Sequence, residues 1–184
     1  MTAIVTTDVT LDRTLLGEFR DQSGKSLAEL TDAQPHVVVF LRHSGCPFCR
    51  QAAADISAQA EAIAKAGAGI VLVHMMPEPE AAAFFGRFGV ARFPRISDPE
   101  QRLYEAFDLR NGTAWQLLGP KVWWEGAKSV LGKGLGVGMP VGNVLRLPGS
   151  FLVYRGRMLK AYRSETSSDR PDYAEMAACE LPIR

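Results

Sequence analysis

Two cysteines three positions apart, Cys46 and Cys49 in the stretch Cys46-Pro47-Phe48-Cys49, have the residue types and spacing for redox chemistry. Residues i and i+3 of a helix share a face, so the two sulfurs can meet and form a disulfide. The pair stands where a helix pattern opens, and Pro47 suits a first helical turn because its missing N–H costs nothing there. The free N–H groups and positive dipole end of such a helix favour a thiolate at Cys46. Cys46 is then the nucleophile and Cys49 the residue that resolves its oxidised form. Arg42, His43 and Arg50 add cationic or titratable side chains close by in sequence. Arg42 reads as a thiolate stabiliser or as a solvated charge. His43, titrating near neutral pH, reads as a charge holder or proton relay, or as a solvated turn residue. A structural disulfide and half of a zinc site are the rivals for the cysteines. Zinc needs four ligands, usually with a second close pair, and only Cys179 and scattered histidines remain.

The elements that must position this pair are legible on either side of it. Val37 to Leu41 is a β-branched and aromatic run, read as a strand buried on both faces. It ends in the polar pivot Arg42-His43-Ser44-Gly45. Ala53, Ile56, Ala60 and Ile63 recur at helical spacing until Gly67 and Gly69 stop the helix. Gly69 to Met75 is a second buried strand, Pro77 begins a helix with acids in its first turn, and Phe93 to Ser97 is a short third strand. Glu100 to Phe107 is a further helix. This alternation implies parallel strands joined by right-handed crossovers, an α/β layered domain. Upstream lie an apolar alternation from Ala3 to Val9, a turn at Asp21 to Gly24 and one helical turn at Leu27 to Leu30. Downstream, Gly149 to Tyr154, a turn at Arg155-Gly156 and Met158 to Tyr162 form a hairpin, and Asp169 reads as the N-cap of a last helix.

The totals narrow the function classes. A chain of 184 residues, 47% hydrophobic and 22% charged, is expected to be one globular domain spanning residues 1–184. A net charge of +1 gives no electrostatic case for nucleic acid or an anionic membrane. No apolar run approaches the ~18 residues of a transmembrane helix, and Met1 to Thr10 shows no secretory pattern. An odd count of three cysteines, two of them close together, suits a reducing cytoplasm rather than a secreted disulfide framework.

Three segments in order, FLRHSGCPFCRQ, FPRISDPEQRLYEAFDL and LPGSFLVYRGRML, with the closing RSETSSDRPDY, carry a family resemblance. The chain resembles the peroxiredoxin-like proteins of the alkyl hydroperoxide reductase/thiol-specific antioxidant (AhpC/TSA) type, in the branch that uses Cys-x-x-Cys within the thioredoxin-fold superfamily. The resemblance spans roughly residues 10 to 178. It implies a thioredoxin-like fold, a central mixed β-sheet with helices on both faces, and an insertion at about 111–147. It further implies an exposed Cys46, a more buried Cys49, and a cis Pro148 facing the disulfide, with Arg42, His43 and Ser44 shaping the site. The implied activity is thiol-dependent reduction of hydroperoxides through a Cys46/Cys49 dithiol–disulfide cycle, with lipid endoperoxides as the substrate in one related branch. Recycling would fall to thioredoxin, glutaredoxin or glutathione, with no bound cofactor, in a monomer or homodimer. The chain departs from the family pattern at His43, where conventional members carry a peroxide-orienting threonine, and at Val39, where they carry a proline. That departure keeps two rivals open: a thiol–disulfide exchange protein acting on small or protein disulfides, and a redox-responsive binding module.

Outside that framework, Trp115, Trp123, Trp124 and the glycine-rich run Gly132 to Asn143 fit a lid over Cys46, a membrane-surface element, or a packed helix followed by a surface loop. Cys179 reads as a small buried hydrophobe or a second resolving thiol, and His36 and His74 read as strand-edge residues. Pro94 and Pro140 are rivals to Pro148 for a cis bond.

Overall fold

A computed structural model describes residues 3–113 and 145–178. The strand before the cysteines, β2 (His36–Phe40), is buried along its whole length. Its pleat sends Val37 and Val39 into one core and Val38 and Phe40 into another. An uninterrupted apolar run needs such a strand, covered on both faces.

β2 sits inside a six-stranded sheet of order β1-β6-β5-β2-β3-β4. β1 is Val5–Thr10, β3 Gly69–His74, β4 Arg95–Ser97, β5 Gly149–Tyr154 and β6 Arg157–Arg163. β2, β3 and β4 run parallel, whereas β5, β6 and β1 each pair antiparallel with their neighbour. The sheet is therefore mixed. On one face lie α3 (Pro47–Lys65), α4 (Glu78–Arg87) and α6 (Tyr173–Ala177), contributing Ile56, Ile63, Phe85 and Tyr173 to the first core. Burying each of these isoleucines contributes about 1.5–3 kcal/mol. On the other face lie α1 (Arg13–Glu18), α2 (Leu27–Ala33) and α5 (Arg102–Ala106), with Leu16, Leu27, Leu30, Leu103 and Tyr104 in the second core. This is the thioredoxin-like arrangement expected, with helices on both faces.

Local chemistry sets the element ends. Ser26 and Glu29 form a capping box, so the single turn expected at Leu27 to Leu30 extends to Ala33. The β5–β6 hairpin turns through Arg155 at φ 48° and Gly156 at φ 75°, the mirror-image turn whose twist matches its strands. The last helix is capped by Asp172, whose side chain accepts from the Ala174 and Glu175 amides, rather than by Asp169. Asp169 instead closes the preceding turn, accepting from the Thr166 amide at 2.7 Å.

The described residues on either side of the longest departure from the alternating pattern meet one another outside the sheet. Asn111 and Arg146 form an antiparallel bridge, and the Gly112 amide donates to the Leu145 carbonyl at 2.7 Å. Arg146 fastens this clasp to α5, donating to the Leu109 carbonyl at 2.5 Å and to Gln101 Oε1 at 2.8 Å. Trp115, Trp123, Trp124, Pro140, the run from Gly132 to Asn143 and Cys179 lie outside the described residues.

Candidate active site

Parallel pairing of β2 and β3 places their carboxyl ends side by side, so the loops that follow them meet. The first is the Arg42–Gly45 turn; the second leads into α4. The Met75 amide donates to the Arg42 carbonyl at 3.4 Å across that gap. In open α/β sheets this edge is where ligands and chemistry gather.

Cys46 is the N-cap residue of α3, and its carbonyl accepts from the Cys49 and Arg50 amides at 3.1 and 3.2 Å. Its side chain makes no capping hydrogen bond. The charge on Cys46 is stabilised mainly by other groups. The Cys49 thiol hydrogen-bonds to it, and the Arg42 Nη2 donates to its Sγ at 2.9 Å. Burial opposes ionisation, but the thiol, the guanidinium, the Cys49 backbone and His43 together hold the Cys46 pKa well below the ordinary thiol value. Cys49 goes the other way. Its hydrogen bond to Cys46 and its burial push its pKa well above that value, so its proton is retained while Cys46 is ionised. The pair is thus split electrically, one sulfur poised as nucleophile and the other as proton-bearing partner. No such split exists in exposure. Both cysteines are 3% exposed, which overturns the expectation of an exposed Cys46 and a more buried Cys49.

Arg42 is no solvated charge. It is 6% exposed, and the two sulfurs offset the burial that disfavours its cationic form. Its backbone amide donates to Cys49 Sγ at 3.3 Å, so one residue contacts both sulfurs. His43 is also buried, at 7% exposure, and its Nδ1 has no hydrogen-bond partner among the described residues. Burial lowers its pKa, assisted by Arg42, while the Cys46 thiolate and the Glu80 carboxylate push it back up. Ser44 is half-buried; its hydroxyl donates to Glu80 Oε1 and its carbonyl accepts from Arg50 Nε at 2.9 Å. The pivot is therefore tied down from α3 and from α4.

Pro148 lines a narrow cleft with Cys49, Arg42, Ser150 and Ser164. The cleft offers about 20 Å³, room for one water. No peptide bond among the described residues is cis, so Pro148 lacks the expected isomer and its rival Pro94 does not carry it instead. Gly149 follows in trans, pressed so closely on Leu109 and Tyr162 that an added Cβ would lie 2.6 Å from Leu109 Cδ2. His36 and His74 stand at the ends of β2 and β3, the strand edges expected, but neither faces solvent. Both are buried in central strands, His74 completely, with its ring 5.4 Å from that of Phe85. Among the described residues no cluster of three histidine, cysteine or acidic side chains is arranged to hold a metal ion.

Glu80 is the site residue that sequence reasoning missed. Its position in the first turn of α4 reads as support for the helix dipole, and only Pro77 and the short β3–α4 connection hinted that it would reach the cysteine loop.

A mixed sheet of this order, with a buried Cys-x-x-Cys at the first turn of the helix after its central strand, defines a thiol redox enzyme of the thioredoxin fold. The AhpC/TSA family model matches residues 8–160, and the chain belongs to that family. No curated protein matches it in sequence. Among solved structures it is similar to the PrxQ of Xylella fastidiosa, at 18% identity and TM-score 0.64 over 95% of this chain and 93% of that one. It is similar also to the peroxidoxin BcpB of Mycobacterium tuberculosis, at 21% identity and TM-score 0.60 over 100% and 99% of the two chains. A third is the bacterioferritin comigratory protein of Xanthomonas campestris, described for alkyl peroxide reduction, at 19% identity and TM-score 0.63 over 92% and 93%. The protein is accordingly a peroxiredoxin-like, thiol-dependent antioxidant enzyme of the AhpC/TSA family.

Proposed function

We propose that Cys46 is the peroxidatic and Cys49 the resolving cysteine of a hydroperoxide reductase. The observation that carries the reading is the Arg42 guanidinium seated 2.9 Å from Cys46 Sγ, with the Cys49 thiol on the same sulfur. A thiolate so stabilised attacks the terminal oxygen of a hydroperoxide. The S–O bond forms, the O–O bond breaks, Cys46 becomes a sulfenic acid, and an alcohol or water leaves once protonated. Cys49 then attacks that sulfur. An S–S bond forms, the hydroxyl departs with the Cys49 proton as water, and the enzyme holds a Cys46–Cys49 disulfide. A dithiol of the thioredoxin or glutaredoxin type, or glutathione, restores both thiols by exchange. A catalytic disulfide of this kind suits the reducing cytoplasm. No helix among the described residues is long and apolar enough to cross a membrane. Steady-state peroxide consumption under a thioredoxin-type reductant tests the reading. Cys46→Ser is expected to abolish turnover, and Cys49→Ser to react once and stall as a sulfenic acid. Undiminished turnover in Cys46→Ser would reverse the assignment.

A further inference from the structure

Reduction of a peroxide leaves an alkoxide or hydroxide, a strong base that needs a proton as the O–O bond breaks. Neither cysteine supplies it. Cys46 is the thiolate, and the Cys49 proton leaves with water only in the following step. Arg42 holds its proton too tightly to give it up. The groups facing this region are Arg42 and His43 of the turn, Cys46 and Cys49 of α3, and Glu80 of α4. Across the cleft beside Cys49 stand Asp169, Arg170 and Tyr173, whose hydroxyl burial makes a weaker acid. Among all of these His43 is the group whose ordinary titration lies nearest neutral pH; burial lowers it, and the Cys46 thiolate and the Glu80 carboxylate push it back up.

We infer that His43 is the general acid that protonates the leaving oxygen, and that Glu80 is a positioning residue holding the Ser44 side of the pivot and keeping His43 protonatable. The inference rests on the assignment of Cys46 as the peroxidatic cysteine. His43 is almost fully buried, and its Nδ1 is unpartnered among the described residues. An imidazole nitrogen without a partner in a buried site is costly unless it serves a ligand. Glu80 reaches across from α4 to accept from the Ser44 hydroxyl, next in sequence to His43. Its neighbour Glu78 is engaged elsewhere, with Arg95 at 2.5 Å, so the two acids of this helix turn are divided between a surface ion pair and the active-site turn. The Cys46 thiolate, the Arg42 guanidinium and the Glu80 carboxylate all act on the imidazole. When Cys46 is oxidised its negative charge disappears and Glu80 becomes the remaining anion that favours the imidazolium. The step balances. Thiolate and ROOH give the sulfenic acid and RO⁻, RO⁻ takes the His43 proton to leave as ROH, and solvent returns a proton to His43.

The test is leaving-group dependence. Hydrogen peroxide and tert-butyl hydroperoxide expel strong bases, whereas peracetic acid expels acetate, which leaves without help. Positioned acids accelerate such steps by roughly 10²–10⁴-fold, so His43→Gln is expected to slow the first step about 10²-fold with hydrogen peroxide and little with peracetic acid. A neighbouring charge shifts a pKa by about 1–3 units. Glu80→Gln is therefore expected to slow the hydrogen peroxide reaction about tenfold and to bring its alkaline limb to lower pH. Ser44→Ala, which keeps the Glu80 charge, should leave that limb near its original pH. Equal losses with both oxidants, or no loss, would overturn the inference. If wild type consumes neither oxidant through Cys46, the peroxidatic assignment itself fails and the inference falls with it.

Discussion

Replacing Arg42 by methionine keeps the aliphatic bulk and removes the charge that lies 2.9 Å from Cys46 Sγ. Arg42 is only 6% exposed, so solvent does little to screen the pair. An opposite charge at this range depresses a pKa by about 1–3 units, and each unit corresponds to 1.36 kcal/mol. Arg42→Met should therefore raise the Cys46 pKa by about 1–3 units, a loss of about 1.4–4 kcal/mol in thiolate stabilisation. The hydrogen bond from Cys49 persists and still favours the thiolate against burial. The cleanest assay uses a Cys49→Ser background, in which the retained hydroxyl still donates and a single active-site sulfur titrates. Thiolate ultraviolet absorbance followed against pH, and the rate of alkylation by iodoacetamide, both report the midpoint. The less acidic thiol is intrinsically more nucleophilic, which returns about half of the lost reactivity on a logarithmic scale. The rate with peroxide thus falls most at the acid end, where thiolate is scarcest. A midpoint that moves by only a few tenths of a unit would refute the claim that Arg42 is a main electrostatic support of Cys46.

Three further outcomes follow from the packing. Burial holds the His74 pKa at about 4 against an ordinary 6.5, so on acidification the unfolded chain takes up this proton first. Its contribution is complete above pH 6.5 and is lost towards pH 4, about 3 kcal/mol in all; urea unfolding should show His74→Leu losing that much less than wild type between pH 7 and 4. Phe40 is fully buried, 4.9 Å in ring separation from both Tyr104 and Phe107, and Phe40→Ala should cost about 3–5 kcal/mol in the same assay. Ser26→Ala removes the α2 cap at a cost of about 1 kcal/mol and should leave peroxide kinetics unchanged, since α2 packs on the sheet face away from α3.

Much of this architecture is legible in the residues because local chemistry and tertiary demand agree. The runs at Val37 to Leu41 and Ile70 to Val73 have no polar position to face water, so they had to be interior strands. Pro47 and the alanine-rich spacing after it fix where α3 begins and which face it buries. The misses share a cause, which is long-range contact. Nothing near Pro148 in sequence signals its isomer, and nothing near His74 signals that its ring would be buried against Phe85 of α4. Arg42 and His43 stand in a polar run that looks solvent-facing, yet both are buried; Arg42 lies against the two cysteines and a cleft shared with the distant Pro148, Ser164 and Tyr173. Glu80 looked like a dipole residue for the same reason: its partner Ser44 is 36 positions away.

The most direct test of the central claim is a single-turnover thiol count. Fully reduced protein is mixed with one equivalent of hydrogen peroxide in the absence of reductant, and peroxide, free thiols and intact mass are followed together. The predicted result is loss of one peroxide and two thiols per chain, with a Cys46–Cys49 disulfide recovered by peptide mapping and no reaction in Cys46→Ser. Persistence of peroxide with both thiols intact would contradict it.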